Sequence, residues 1–303
     1  LRPFDLARGP LVRLRLAWLS DTDSRIYLTL HHAIFDGYSL YQVAVPELAS
    51  LYAAAQTGTR ASLPDLPIQY ADWGAWQRAE VERGAYSAQL DYWVKHLADA
   101  SAVELPTDRP RPATLSYRGR MHTFALPAEV AAALRSLARS ERVTLYMALV
   151  ATYLVLLHRY TGKDDVTVGT VSGGRKRPEL ARLLGFLVNP LALRVRDVAL
   201  DAMVNDDLPF EHVVAALQPV RDAGRHPFFQ TVISLEVPLA RLPEGWDVWH
   251  LDVHTGTSKF DLYLEMNDRP DGLHGCVVYA SDLFLPDTIA RMVGHYTNLL
   301  AAV

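Results

Sequence analysis

Thiols are almost missing from this 303-residue chain. Cys276 is its one cysteine, which excludes an intrachain disulfide framework and any metal site built on several thiolates. A chain so poor in cysteine fits a reducing cytoplasm. Charge of one sign is not in excess either: 30 Lys and Arg stand against 34 Asp and Glu, for a net charge of −4. The arginines are scattered, so no basic field exists to hold a phosphate backbone, and nucleic acid is not an expected partner. Long apolar runs are lacking too. The longest, Met147 to Leu157, is interrupted by Thr152 and Tyr153 and is too short to span a bilayer, so it reads as a buried helix and no membrane is expected as a partner. The opening Leu1-Arg2-Pro3-Phe4-Asp5 has no initiator Met, basic stretch or signal core. Nothing in it points to export, and it reads as part of something longer.

Apolar residues, by contrast, are plentiful. They make up 50% of the chain against 21% charged, enough for a large core and, by length, roughly two lobes. Leu11 to Trp18 and Ile26 to Leu30 read as a β-hairpin around Asp21-Thr22-Asp23-Ser24. Its second strand runs into His31 and His32, and Ser39 to Ala55 then carries helical periodicity that Pro46 should kink or restart. Tyr70 to Leu97 reads as one long aromatic-rich helix, with Trp73, Trp76 and Trp93 more consistent with core than with a ligand platform. The proline-rich stretch Leu105 to Pro112 favours extended backbone, and the lobe boundary is placed there. That gives lobes of 1–112 and 113–303.

Farther along, strands are predicted at Tyr117 to Leu126, Val166 to Val171, Leu187 to Val195, Phe228 to Val237, Lys259 to Met266 and Leu273 to Tyr279. The last two form a hairpin about Pro270-Asp271-Gly272. Helices are predicted at Pro127 to Ser140, at Thr144 to Tyr160 with Thr144 as N-cap, at Asp197 to Met203 and at Asp287 to Ala302. Strands and helices mixed in both halves argue for two α/β lobes, without an internal repeat.

His31-His32-Ala33-Ile34-Phe35-Asp36-Gly37 is the most chemically loaded segment. On its own, a histidine pair at a strand end suits a hydrogen-bonded structural pair better than catalysis. Adjacent histidines are not spaced for one helical face, so metal binding is disfavoured. Gly169 to Lys176 is glycine-rich but lacks the ending of a phosphate loop and better suits a tight turn. Asp36 also suits a turn or helix start. Gly37 permits positive φ and a close approach of ligand to backbone.

These seven residues match HHxxxDG, and further stretches follow in order: Tyr70 to Gln77, Leu105 to Pro112, Tyr160 to Arg175, Gly185 to Asn189, Asp206 to Glu211, Arg221 to Pro227, Lys259 to Leu262 and Tyr279 to Phe284. The ordered set resembles the condensation domains of non-ribosomal peptide synthetases, within the chloramphenicol-acetyltransferase-like superfamily. Pro190, Gly224 and His226 depart from the family pattern, which usually has Thr, Ser and Asn there. The family's opening motifs have no counterpart, and a stretch is short near Arg196, so an incomplete N-terminal lobe is expected.

The resemblance implies two chloramphenicol-acetyltransferase-like lobes in a V-shaped pseudodimer, with the active site in a tunnel between them. It gives the catalytic role to His32, a packing role in the loop to His31, and to Asp36 an ion pair with an arginine of the other lobe, Arg175. It implies no metal or organic cofactor on the chain itself. Phosphopantetheine arms would arrive on donor and acceptor carrier-protein domains, beside an adenylation domain. Imidazole changes charge near neutrality and can accept a hydrogen bond or proton there. An α-amine titrates only about one unit higher, so His32 would position the amine more than deprotonate it. Leu40 follows Ser39 where epimerisation domains place Trp, and the DxxxxD of heterocyclisation domains is absent from this loop. Amide formation leads. A stand-alone O- or N-acyltransferase and a non-catalytic docking domain are the alternatives.

Overall fold

The structure is a computed structural model that describes residues 3–100, 103–194, 199–219, 222–246, 248, 255–269 and 271–303. Arg196, Asp197, Arg221 and Pro270, which figured in the sequence reading, lie outside the described residues. Two compact units emerge. One gathers Leu1–Gln77, Arg175–Val188 and Leu239–Asp247, the other Arg78–Gly174, Asn189–Pro238 and Val248–Val303. This division differs from the expected 1–112 and 113–303 because segments distant in sequence cluster with the amino-terminal residues.

In the first unit, β1 (Val12–Trp18) and β2 (Ser24–Leu30) pair antiparallel, in the register Val12 to Leu30, Leu14 to Leu28 and Leu16 to Ile26. Alternation puts those six apolar residues on one face and Arg13, Arg15 and Arg25 on the other. The apolar face is open: Leu14 is 56% exposed and Leu28 40%. After the histidines a π-helical stretch, Ser39–Ala44, leads into α1 (Val45–Gln56), which carries Pro46 in its first turn. A proline there has no N–H to give and presses on the preceding turn. The helix answers by widening, with Val45 N donating to Leu40 O.

The aromatic helix is two helices. α2 (Tyr70–Glu82) ends and α3 (Ser87–Leu97) begins across Gly84, whose φ is +76°. Gly84 N donates to Val81 O and Ala85 N to Glu80 O, both at 3.0 Å, the bond pair that closes a helix on a left-handed glycine. Trp93 is fully buried and donates to Asn205 O at 2.8 Å. Trp73 and Trp76 are not core residues. They are half-buried, stacked on each other, and the Arg177 guanidinium lies over Trp76.

The second unit is built on a six-stranded sheet. Its strands are β3 (Gly119–Ala125), β4 (Thr167–Ser172), β5 (Asn189–Arg194), β6 (Thr231–Glu236), β7 (Leu262–Arg269) and β8 (Gly272–Ala280), in the order β3-β8-β7-β6-β4-β5. Among these described strands, β4–β6 and β6–β7 pair parallel and the rest antiparallel. α4 (Ala128–Ser140), α5 (Leu145–Thr161) and α8 (Pro286–Ala302) pack with one another and on the sheet. α5 starts at Thr144, whose side chain accepts Met147 N at 3.1 Å. The short α6 (Ala199–Val204) and α7 (Phe210–Leu217) pack at β5.

The proline-rich stretch is no free linker. Asp108 N and Arg109 N both reach Leu283 O, Arg109 Nη1 donates to Ser281 O, and Arg111 pairs with Asp261. All of these residues belong to the second unit, so the boundary is not drawn through them. No single described helix is long and apolar enough to cross a membrane.

Candidate active site

Pairing in the β-hairpin sets the histidine loop in place. β2 ends at Leu30, His31 N donates to Leu11 O at 3.0 Å, and the chain turns into a single 3-10 turn, His32–Ile34. The His31 ring caps that turn, its Nδ1 accepting Ala33 N at 3.1 Å, while the edge of Phe4 packs against it. Both contacts shape the loop.

His32 is exposed. Its Nδ1 lies 2.6 Å from Phe35 O. A carbonyl oxygen only accepts, so Nδ1 carries the hydrogen of the neutral ring and the lone pair is left on Nε2. Two aromatic rings flank the imidazole: Phe35 stacks at 5.2 Å, and Phe186 meets it edge-on at 5.1 Å. The ring is thus fixed by one polar bond and two apolar walls, with an acceptor nitrogen free to meet an N–H or O–H from outside.

Asp36 is fully buried, and its carboxylate turns to other partners. Oδ1 accepts Ser39 N at 2.7 Å and Arg175 Nη2 at 3.0 Å, and Oδ2 accepts Leu187 N at 3.0 Å. Arg175 is nearly as buried as Asp36 and donates further to Ser39 Oγ at 2.6 Å, Leu180 O at 2.7 Å and Leu183 O at 2.9 Å. The two carboxylate oxygens and both terminal nitrogens of the guanidinium are met by an opposite charge or a fixed dipole, as a buried pair requires, while the buried Arg175 Nε makes no hydrogen bond. Since His32 Nδ1 is bonded to a carbonyl and Asp36 to an arginine, no Asp-His relay of the kind in a catalytic triad is assembled.

Arg175 was expected on the carboxy-terminal lobe. It belongs to the same compact unit as Asp36, because the chain leaves β4, contributes 175–188 to that unit and returns as β5. Gly37 occupies the first helical position ahead of Ser39, so the left-handed backbone that a glycine permits is not used there.

Sequence reasoning missed three members of the site. Ser39 is fully buried, donates to Gly185 O at 2.9 Å and accepts Gly185 N at 3.1 Å. Phe186 walls the imidazole, and Tyr70 donates to Phe186 O at 2.8 Å. Tyr70 and Gly185 stand in motifs of the ordered set, but nothing in the sequence reading joined them. Among the described residues, no group of three His, Cys, Asp or Glu is placed to hold a metal ion.

The condensation-domain family model matches residues 1–303. The chain is 41% identical over 322 residues to a linear gramicidin synthase of Brevibacillus parabrevis, covering 100% of this chain and 4% of that protein. It is 39% identical over 326 residues to phosphinothricin tripeptide synthetase PhsC of Streptomyces viridochromogenes, covering 99% of this chain and 29% of that protein. It therefore spans a small fraction of these relatives. Among solved structures, the X-domain in complex with OxyB from teicoplanin biosynthesis matches with a TM-score of 0.81 at 26% identity, over 100% of this chain and 72% of that one. A histidine loop built on a hairpin, a mixed sheet and a match along the whole length agree: the chain belongs to the condensation-domain family of the non-ribosomal peptide synthetases.

Proposed function

We propose that this domain forms an amide bond, transferring a donor acyl or peptidyl group from its thioester to the amine of an acceptor aminoacyl thioester. The observation that carries the reading is the exposed His32 ring with its lone pair on Nε2 and its Nδ1 hydrogen committed to Phe35 O at 2.6 Å. An amine N–H donating to Nε2 is oriented for attack on the thioester carbonyl. As the C–N bond forms, the proton passes to Nε2, and as the C–S bond breaks the leaving sulfur takes that proton back, releasing a thiol and restoring the neutral ring. The amine is already partly neutral at pH 7, so alignment supplies most of the effect. Asp36 and Arg175 act structurally, fixing the backbone on both sides of the loop.

Both substrates would arrive on phosphopantetheine arms of donor and acceptor carrier domains, with an adenylation domain alongside, consistent with relatives that are large peptide synthetases. A cytoplasmic setting suits a chain with a single cysteine. The test is a reconstituted reaction with loaded donor and acceptor carrier proteins. His32→Ala is expected to lower the rate by about 10²-fold or more, with no recovery at raised pH. Equal rates for the two proteins would overturn the reading.

A second reading, a docking domain without turnover, is favoured by the likeness to an X-domain solved in complex with OxyB. Tight capture of a partner enzyme with no amide product from any carrier pair would select it.

A further inference from the structure

The wall that Phe186 presents to His32 is held by side chains remote from it in sequence. Across the turn 185–187, Gly185 N and Gly185 O are bonded to Ser39 Oγ, Phe186 O accepts Tyr70 Oη at 2.8 Å, and Leu187 N donates to Asp36 Oδ2 at 3.0 Å. A turn whose backbone groups are tied one after another has little freedom, and the ring it carries inherits that restraint. Tyr70 adds a steric part. Its ring fills the space where a Cβ on Gly185 would stand, so the glycine admits the ring and the ring covers the glycine. Partial burial raises the Tyr70 phenol, with the Asp36 carboxylate adding in the same direction, so it remains a hydrogen-bond donor throughout the working pH range.

We infer that Tyr70 is a positioning residue for His32: it fixes the carbonyl of Phe186, the Phe186 ring then sets the plane of the imidazole, and the lone pair on Nε2 points in one direction. This rests on the amide-forming reading only for its consequence on rate. The structural part concerns the ring of His32 alone. The influence of Tyr70 on the imidazole travels through one backbone carbonyl and one aromatic edge. Without the hydroxyl, Phe186 is free to tilt, and the imidazole keeps its bond to Phe35 O but loses one of its two walls.

The experiment uses the whole chain with ¹⁵N-labelled histidine and the variants Tyr70→Phe, Phe186→Leu and the double change. In the imidazole ¹⁵N and carbon-bound ¹H spectrum, His32 is assigned by its loss in His32→Ala. Its signals are expected to move in Tyr70→Phe in the same direction as in Phe186→Leu, with no further movement from Tyr70→Phe once Phe186 is Leu. In the carrier-protein reaction, Tyr70→Phe is expected to lower kcat about tenfold with KM within twofold, again with no further loss in the Phe186→Leu background. His32 signals unchanged by Tyr70→Phe, or additive effects in the double variant, overturn the inference. If the signals behave as expected but no amide forms in any protein, the coupling stands and the amide-forming reading fails.

Discussion

Asp36 and His32 lie four residues apart and are expected to fail in opposite ways. Asp36→Ala leaves Arg175 buried without its counter-ion and frees Ser39 N and Leu187 N from their acceptor. Breaking a buried pair from one side costs about 3–5 kcal/mol, and a urea unfolding curve should show it as a lowered midpoint. His32→Ala removes an exposed ring with a single polar bond, so its midpoint should shift by no more than about 1 kcal/mol while amide formation collapses. At this scale the sequence was partly legible. His32, Asp36 and Arg175 stood out because a short motif and its companions mark them. Ser39, Phe186 and Tyr70 did not: Ser39 to Gly185 spans 146 positions and Tyr70 to Phe186 spans 116, and, unlike the equally distant Asp36 and Arg175, neither pair was marked by the family resemblance. No local spacing encodes such a contact.

Helix ends decide much of the architecture. Thr144→Ala deletes the acceptor for Met147 N, at an expected cost of about 1 kcal/mol, readable as a lower thermal midpoint. Gly84→Ala forces a Cβ into left-handed backbone, at about 1–2 kcal/mol. Circular dichroism of that variant should show the loss as an earlier melt, without gain of helix across the break. The Thr144 cap was visible in the sequence because Thr precedes an unbroken apolar helix. Gly84 was overlooked because the aromatic residues of α2 and α3 continue on both sides of it, and apolar patterning outweighed one glycine. Strands fared better. β7 and β8, with alternating burial and a tight turn, came out within a few residues of their sequence limits. The widened turn before Pro46 was foreseen as a kink or restart, and the π-helical form is how the chain accommodates it.

For the molecule as a whole, acid should be the sensitive variable. Asp108 accepts Leu285 N and Thr288 Oγ, both at 2.8 Å, at the start of α8, and the backbone bond foremost holds its carboxyl below the usual range. Glu104 is lowered chiefly by its hydrogen bond to Arg225. A carboxyl with a depressed pKa in the folded state stabilises fully above its unfolded pKa of about 4 and loses that contribution as pH falls through the folded value. Urea midpoints should therefore fall below about pH 4, and Asp108→Asn should flatten that decline. The same residue lies in a stretch that is tied down rather than loose. Three prolines made 105–112 look like a tether, yet Asp108, Arg109 and Arg111 bond it to the start of α8 and to the residues that flank β7 and β8.

The apolar face of the β1–β2 hairpin also bears on how this 303-residue chain, taken alone, behaves as a solute. Leu14, Leu16, Ile26 and Leu28 remain in contact with water on a sheet that, among the described residues, has no further strand on either side. Such a surface lowers the solubility limit and promotes sticking between molecules. In this 303-residue chain taken alone, light scattering should begin to rise at a lower concentration than in a variant with that face made polar. Replacing Leu14 and Leu28 together by Thr should move that onset upward while leaving His32 chemistry intact.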